Sequence, residues 1–262
     1  MKYYIDTEFL EGTQSKKLLG ITYGQTKPTI DLISIGIVAE DGREYYAISK
    51  DFNLKEAWNR FEIKKTSPAK KYIGIFEEKV YWIRENVLKP IMVELQVQYN
   101  KDTGKSKTGW KFKDFKYLIN KYGKTNKQIA LEIKEFIGTK ETIGNWEQVK
   151  DKMNTQFYAY YGAFDYVAFS QIFGGFEGYP ESFPQYFIDL KQELDIKASA
   201  ITNDQMKEWH HYPKNANIKD PTFDEKLSFI RRMPKYPQEP TTHHALSDAH
   251  WNKQLYEFIN KI

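Results

Sequence analysis

The sequence predicts an α/β fold, a mixed central sheet flanked by helices, in a single domain over residues 1–262. Three observations carry that expectation. A short strand and a long β-branched run open the chain and lead through an Asp-Gly turn signal into a third strand. Apolar residues at helical spacing follow. Past the middle of the chain an aromatic strand feeds directly into a helix, which makes a βα unit.

Taken in order, Lys2 to Asp6 reads as the first strand and Thr29 to Ala39 as a central one, rich in isoleucine and valine. Glu40-Asp41-Gly42 supplies the turn, and Arg43 to Ser49 returns as the third strand, so the opening is an antiparallel meander. Residues 11–28 hold three glycines and a proline and are expected as a long loop. Phe76, Val80, Ile83 and Val87 predict an amphipathic helix over 76–88 that stops before Pro90. Ile129, Ile133 and Phe136 predict another over Asn126 to Ile137. Gln156 to Tyr161 is the aromatic strand, and Phe164 to Phe173 its helix, closed by Gly174-Gly175. Residues 195–240 are polar and proline-spotted, with no clear period from about Asn203, and Ala245 to Ile259 is the closing helix.

Composition narrows the function classes. With 40% hydrophobic residues the chain can bury a substantial core, and the absence of cysteine excludes disulfides, zinc-thiolate sites and thiol nucleophiles. Apolar runs are strand-sized and the first residues enter a strand, so the expectation is a cytoplasmic protein with no membrane segment. The net charge of +4 is mild. Residues 101–127, however, hold nine lysines against Asp102 and Asp114, interleaved with Trp110, Phe112, Phe115, Tyr117 and Tyr122. Lysines with aromatics can hold phosphates and stack bases. The simpler expectation is a solvated, partly helical segment whose aromatics pack inward.

Asp6 and Glu8 stand two apart where the first strand ends, so alternation puts both on one face, about 6.5 Å apart along the strand. Such a pair can share a hard divalent cation through oxygen ligands. Asp165 lies at the junction of the aromatic strand and its helix, where α/β sheets place chemistry, although a helix cap explains an aspartate there as well. His243 and Asp248 are five apart and face different ways on a continuous helix; with His243 on the preceding loop, both reach one cleft. Each fragment alone fits a solvated face, a cap or a surface loop.

Their order does not. Asp-x-Glu on the first strand, an aspartate opening a later helix and His-x4-Asp at a final helix resemble the DEDDh branch of the RNase H-like 3′-5′ exonucleases. Tyr4 to Glu11, Ile30 to Ala47, Trp82 to Leu88, Gly162 to Phe169 and His243 to Ala249 are similar to the bacterial polyadenylate-specific 3′-exoribonuclease AS family. Against its short members, residues 11–28, 90–127 and 195–240 are expected as insertions. The resemblance implies an RNase H-like exonuclease fold and a catalytic set of Asp6, Glu8, Asp165, His243 and Asp248. It implies two Mg2+ or Mn2+ ions, with Asp6 bridging both, Glu8 and Asp248 completing one shell and Asp165 acting on the second. His243 would take the proton of the attacking water. Phe9, next to the first motif, is the expected contact to the terminal nucleotide. The partner implied is RNA with a free 3′ end, cut to nucleoside 5′-monophosphates. The same motifs serve DNA, since discrimination lies at the ribose 2′-OH. A third reading is a non-catalytic nucleic-acid-binding protein, against which stand five filled positions. A homodimer is a further expectation.

Overall fold

The structure is a computed structural model and describes residues 1–19, 21–66, 76–139, 154–209 and 221–262. The chain starts with β1 (Lys2–Gly12), β2 (Ser15–Leu18), β3 (Ile21–Gln25), β4 (Thr29–Ala39) and β5 (Glu44–Ile48). Then come α1 (Leu54–Asn59), β6 (Glu62–Thr66), β7 (Phe76–Val80), α2 (Lys89–Thr103), α3 (Phe112–Tyr122) and α4 (Asn126–Ile137). The second half supplies β8 (Gln156–Ala159), α5 (Ala163–Gln171), β9 (Ile188–Asp189), α6 (Leu190–Ala200), α7 (Asn203–Trp209), α8 (Phe223–Arg231) and α9 (Ala245–Ile259).

The central sheet runs β5-β4-β1-β8-β9. The first three strands pair antiparallel, as the meander requires, and β8 and β9 add in parallel, so the sheet is mixed. This is consistent with the RNase H-like expectation. Among the described residues no helix is long and apolar enough to cross a membrane.

Alternation along β1 sorts the packing. Tyr3 and Ile5 face one side, where they join Ile129 and Ile133 of α4 and Phe169 of α5 in a buried cluster. Tyr4 faces the other side, against Leu190 and Leu194 of α6, Phe229 of α8 and Trp251 and Leu255 of α9. Leu10, further along that same side, joins a third cluster with Ile91 and Leu95 of α2 and Phe115 and Leu118 of α3. Asp6 and Glu8 lie between Tyr4 and Leu10, at the seam between two apolar layers. A register shift follows: Glu8 faces Ser34 while Phe9 faces Leu32, leaving Ile33 as the extra residue of a bulge beside the carboxylates.

Two expectations change. Residues 11–28 are not a loop: β1 continues to Gly12 opposite Thr29, and β2 pairs with β3 as a hairpin closed by Thr26 N–H to the Gln14 carbonyl at 2.9 Å. Leu18, Ile21 and Tyr23 stay exposed, so this ribbon has no buried face to create a period-two pattern. The helix expected over 76–88 is instead β7, paired with β6, and then a helical run that passes through Pro90. That passage is possible because Arg84–Leu88 is a π turn, with Lys89 N–H bonded to the Arg84 carbonyl, and Pro90 sits where the α-helix restarts. Residues 90–127 and 195–240 contribute α2, α3 and α8 to the core, and the aromatics Trp110 and Phe115 pack inward on Trp58.

Glycine matters most at Gly36, which faces Asp6 across the β1–β4 ladder. A Cβ there would collide with the Ala245 carbonyl and the Leu246 Cα. The N-terminus of α9 can therefore rest directly on the sheet only because residue 36 has no side chain. Gly36→Ala is expected to cost about 1–3 kcal/mol in urea unfolding, as an overpacked contact does. An unchanged unfolding midpoint would show that α9 has room to move off.

Candidate active site

All five predicted site residues line one cavity of about 360 Å³, together with Thr7, Phe9, Tyr160, Tyr161, Phe164, Trp251 and Asn252. β1 brings Asp6 and Glu8 up from the floor. Glu8 is buried and Asp6 half-buried.

Asp165 reaches the same space from the opposite side of the sheet, on the first turn of α5 just past the C-terminal end of β8. The cap of that helix is Gly162, so capping is not its role. Its Oδ1 accepts hydrogen bonds from the Thr7 backbone N–H at 2.8 Å and from the Thr7 hydroxyl at 2.7 Å. Thr7 alternates away from Asp6 and Glu8, which is why it can hold a carboxylate arriving from the other face. Beside it, Tyr161 has φ of 57°, a left-handed conformation uncommon outside glycine, and its N–H bonds to Asp189 Oδ1 at 3.2 Å.

The third group comes from the start of α9. His244 is its N-cap: Nδ1 accepts from Ser247 N–H at 3.4 Å, and the His244 N–H donates to Asp248 Oδ2 at 3.0 Å. The ring stacks on Tyr46 with centroids 4.7 Å apart and presents Nε2 to Glu94 at 3.3 Å. With Nδ1 accepting, Nε2 carries the proton toward Glu94. His243 sits one residue earlier, on the loop, exposed and against Trp82 at 4.8 Å. Ligand atoms of Glu8, His243 and Asp248 lie within 4.8 Å of one another. His250 points elsewhere, to Glu44 at 3.0 Å.

Asn252, four residues after Asp248 and so on the same face of α9, is buried and donates to the Ile5 carbonyl at 2.9 Å. Ile5 is one residue past the end of the β1–β8 pairing. Thr7, Gly36 and Asn252 were not singled out by sequence; a polar residue four positions from Asp248, on a helix with an apolar face, was the available signal for Asn252.

Burial raises the carboxylates. Burial, then repulsion from Asp248 and Asp165, pushes Glu8 up to about 8. Burial pushes Asp165 up to about 7 against the two bonds from Thr7. Asp6 is held well above the ordinary range by burial and by its three acidic neighbours. Asp248 is raised by burial, with the His244 N–H opposing. Among the described residues no lysine or arginine lines this cavity. A hard divalent cation fits such an all-oxygen, electron-rich set and would relieve its repulsion.

Residues 1–260 match the family described as the 3′-5′ exoribonuclease Rv2179c-like domain. The chain is similar to the 3′-5′ exoribonuclease Rv2179c of Mycobacterium tuberculosis strain H37Rv, 25% identical over 192 residues, which is 73% of each chain. The 3′-5′ exoribonuclease MT2234.1 of strain CDC 1551 matches to the same extent.

Carboxylates whose folded-state pKa lies above the unfolded value near ~4 favour the fold most at low pH, and that contribution is lost as pH rises through the folded-state values. In metal-free protein the cluster should therefore reduce thermal stability progressively up to about pH 8. Asp6→Asn should raise the melting temperature at pH 8 and flatten its pH dependence. Parallel curves for wild type and Asp6→Asn would contradict the cluster's electrostatics.

Proposed function

Because the chain belongs to the Rv2179c-like 3′-5′ exoribonuclease domain family, we propose that it hydrolyses RNA from a free 3′ end by the DEDDh mechanism, releasing nucleoside 5′-monophosphates. The observation that carries the reading is the convergence of Asp6, Glu8, Asp165, His243 and Asp248 on one cavity from three separate elements. Their order along the chain is that of the DEDDh type, and the surrounding blocks resemble the polyadenylate-specific exoribonuclease AS family, so polyadenylate is the first substrate to offer.

Asp6, Glu8, Asp165 and Asp248 would hold two Mg2+ or Mn2+ ions. Bound there, the ions would supply charge neutralisation at the scissile phosphate and at the leaving oxygen. Thr7 occupies one oxygen of Asp165 and the His244 N–H one oxygen of Asp248, which fixes both carboxylates and leaves the second oxygen of each for the site. His243 accepts the proton of the attacking water from the exposed rim. Its neighbour is unsuited to that task, since a capping His244 has its Nδ1 engaged and Glu94 opposite its Nε2. Phe9 and Phe164 stack on each other at 5.9 Å and 19° in the cavity wall and offer an aromatic surface to the terminal nucleotide.

An end-labelled RNA and DNA pair incubated with magnesium tests the reading. RNA should shorten stepwise from its 3′ end, DNA far more slowly, and Asp6→Ala should abolish both. Retention of RNA without cleavage would instead point to a binding protein. Within the site, His243→Ala should lower kcat by about 10²–10⁴-fold. His244→Asn, which keeps a capping side chain, should lose less than about tenfold. Equal losses in the two variants would remove the distinction between base and cap.

A further inference from the structure

We propose that a second cavity, opening from the first, receives the nucleobase of the nucleotide next to the 3′-terminal one; the proposal rests on the exoribonuclease reading. This cavity measures about 630 Å³ and shares Glu8, Phe9 and Phe164 with the catalytic one. A strand whose last nucleotide fills the first space therefore meets the second without leaving the surface. The stacked Phe9–Phe164 pair is the wall common to both.

The walls carry partly exposed aromatic rings. Phe61 is 42% exposed, Trp82 43% and Phe164 50%. Val80 and Ile83 complete the apolar lining. Large exposed rings around a concave space are unusual unless something stacks there.

Charge separates a base from a phosphate as the occupant. Among the described residues lining the cavity, Arg60 is the one cation. Its guanidinium is already engaged, donating to the Glu11 carbonyl and to the Thr13 carbonyl at 2.8 Å and pairing with Glu56 at 3.5 Å. The other ionisable lining groups are Glu8, Glu11 and Glu62. Among the described lining residues a phosphate would meet three carboxylates and no unengaged cation, Lys79 lying outside the lining with its Nζ 4.4 Å from the Phe61 ring centroid. A neutral base brings a flat face for Trp82 and for the side of Phe61 away from Lys79, and N–H donors for Glu11 and Glu62. Unpaired bases of single-stranded RNA are available for this, because they splay from the backbone.

Phe61 is the residue to change, since it lines the second cavity and not the first. Steady-state kinetics on a short single-stranded RNA give KM and kcat, and inhibition by a nucleoside 5′-monophosphate reports the first cavity alone. Phe61→Ala should raise KM about 5- to 100-fold, the range that loss of one base-stacking contact spans, with the inhibition constant unmoved. Phe61→Tyr, which restores the ring, should recover the wild-type KM. If Phe61→Ala does not fold, Phe61→Leu keeps the bulk without the aromatic face and should show the same rise. An unchanged KM would overturn the subsite, as would a KM, kcat and inhibition constant that all deteriorate together. Wild-type protein inert toward RNA would instead overturn the function on which the subsite rests.

Discussion

Everything around the site answers to one constraint: four carboxylates must be held close together, largely out of water, with no lysine or arginine among the described residues lining their cavity. Like charges so placed push each other apart and toward protonation. The fold holds them in place without neutralising them. Asp165 is held by the Thr7 N–H and hydroxyl, Asp248 by the His244 N–H, and the helix carrying Asp248 by Asn252 on the Ile5 carbonyl. Each tether is an uncharged donor. The negative potential is therefore not spent on an internal ion pair, and burial, aided at Asp6 and Glu8 by the acidic neighbours, raises the pKa of every member.

The same constraint explains where the site sits. On the face of β1 that carries Asp6 and Glu8, the apolar layer is interrupted: Tyr4 belongs to the cluster under α6, α8 and α9, and Leu10 to the cluster under α2 and α3. A continuous helical layer would bury the carboxylates outright. The seam leaves them a solvent path, while Gly36 lets α9 approach closely enough to bring Asp248 over them. Alternation along β1 then puts Phe9 on the side of the cluster under α4 and α5, where it lines both cavities beside the bulge at Ile33.

What was legible in the sequence follows from how each feature is stabilised. β4, α4 and α9 have buried faces, and their periods show it; α4 and α9 begin and end where the spacing predicts. The β2–β3 hairpin is held by backbone bonds with its apolar side chains exposed, so it leaves no periodic trace. Pro90 misled because the rule against proline in a helix assumes an unbroken α-helical ladder, and the π turn before it removes that assumption. The charged site residues could be read from their order, since chemistry restricts residue type. Thr7, Gly36 and Asn252 could not, because their roles exist only across long sequence separations: Thr7 meets Asp165, Gly36 meets Ala245, and Asn252 meets Ile5.

Adjacent histidines show how finely backbone position divides labour. His244 lies where the chain enters α9, and that position commits its ring to the helix: one nitrogen faces the Ser247 N–H, the other Glu94, and Tyr46 supports the flat side. His243, one residue earlier and outside the helix, is exposed beside Glu8 and Asp248 with Trp82 against it. Trp82 is also a wall of the second cavity, so one indole packs against His243 and borders the space beside the first cavity. The two cavities thus meet near a single side chain, set at the start of the same helical run that the π turn carries through Pro90.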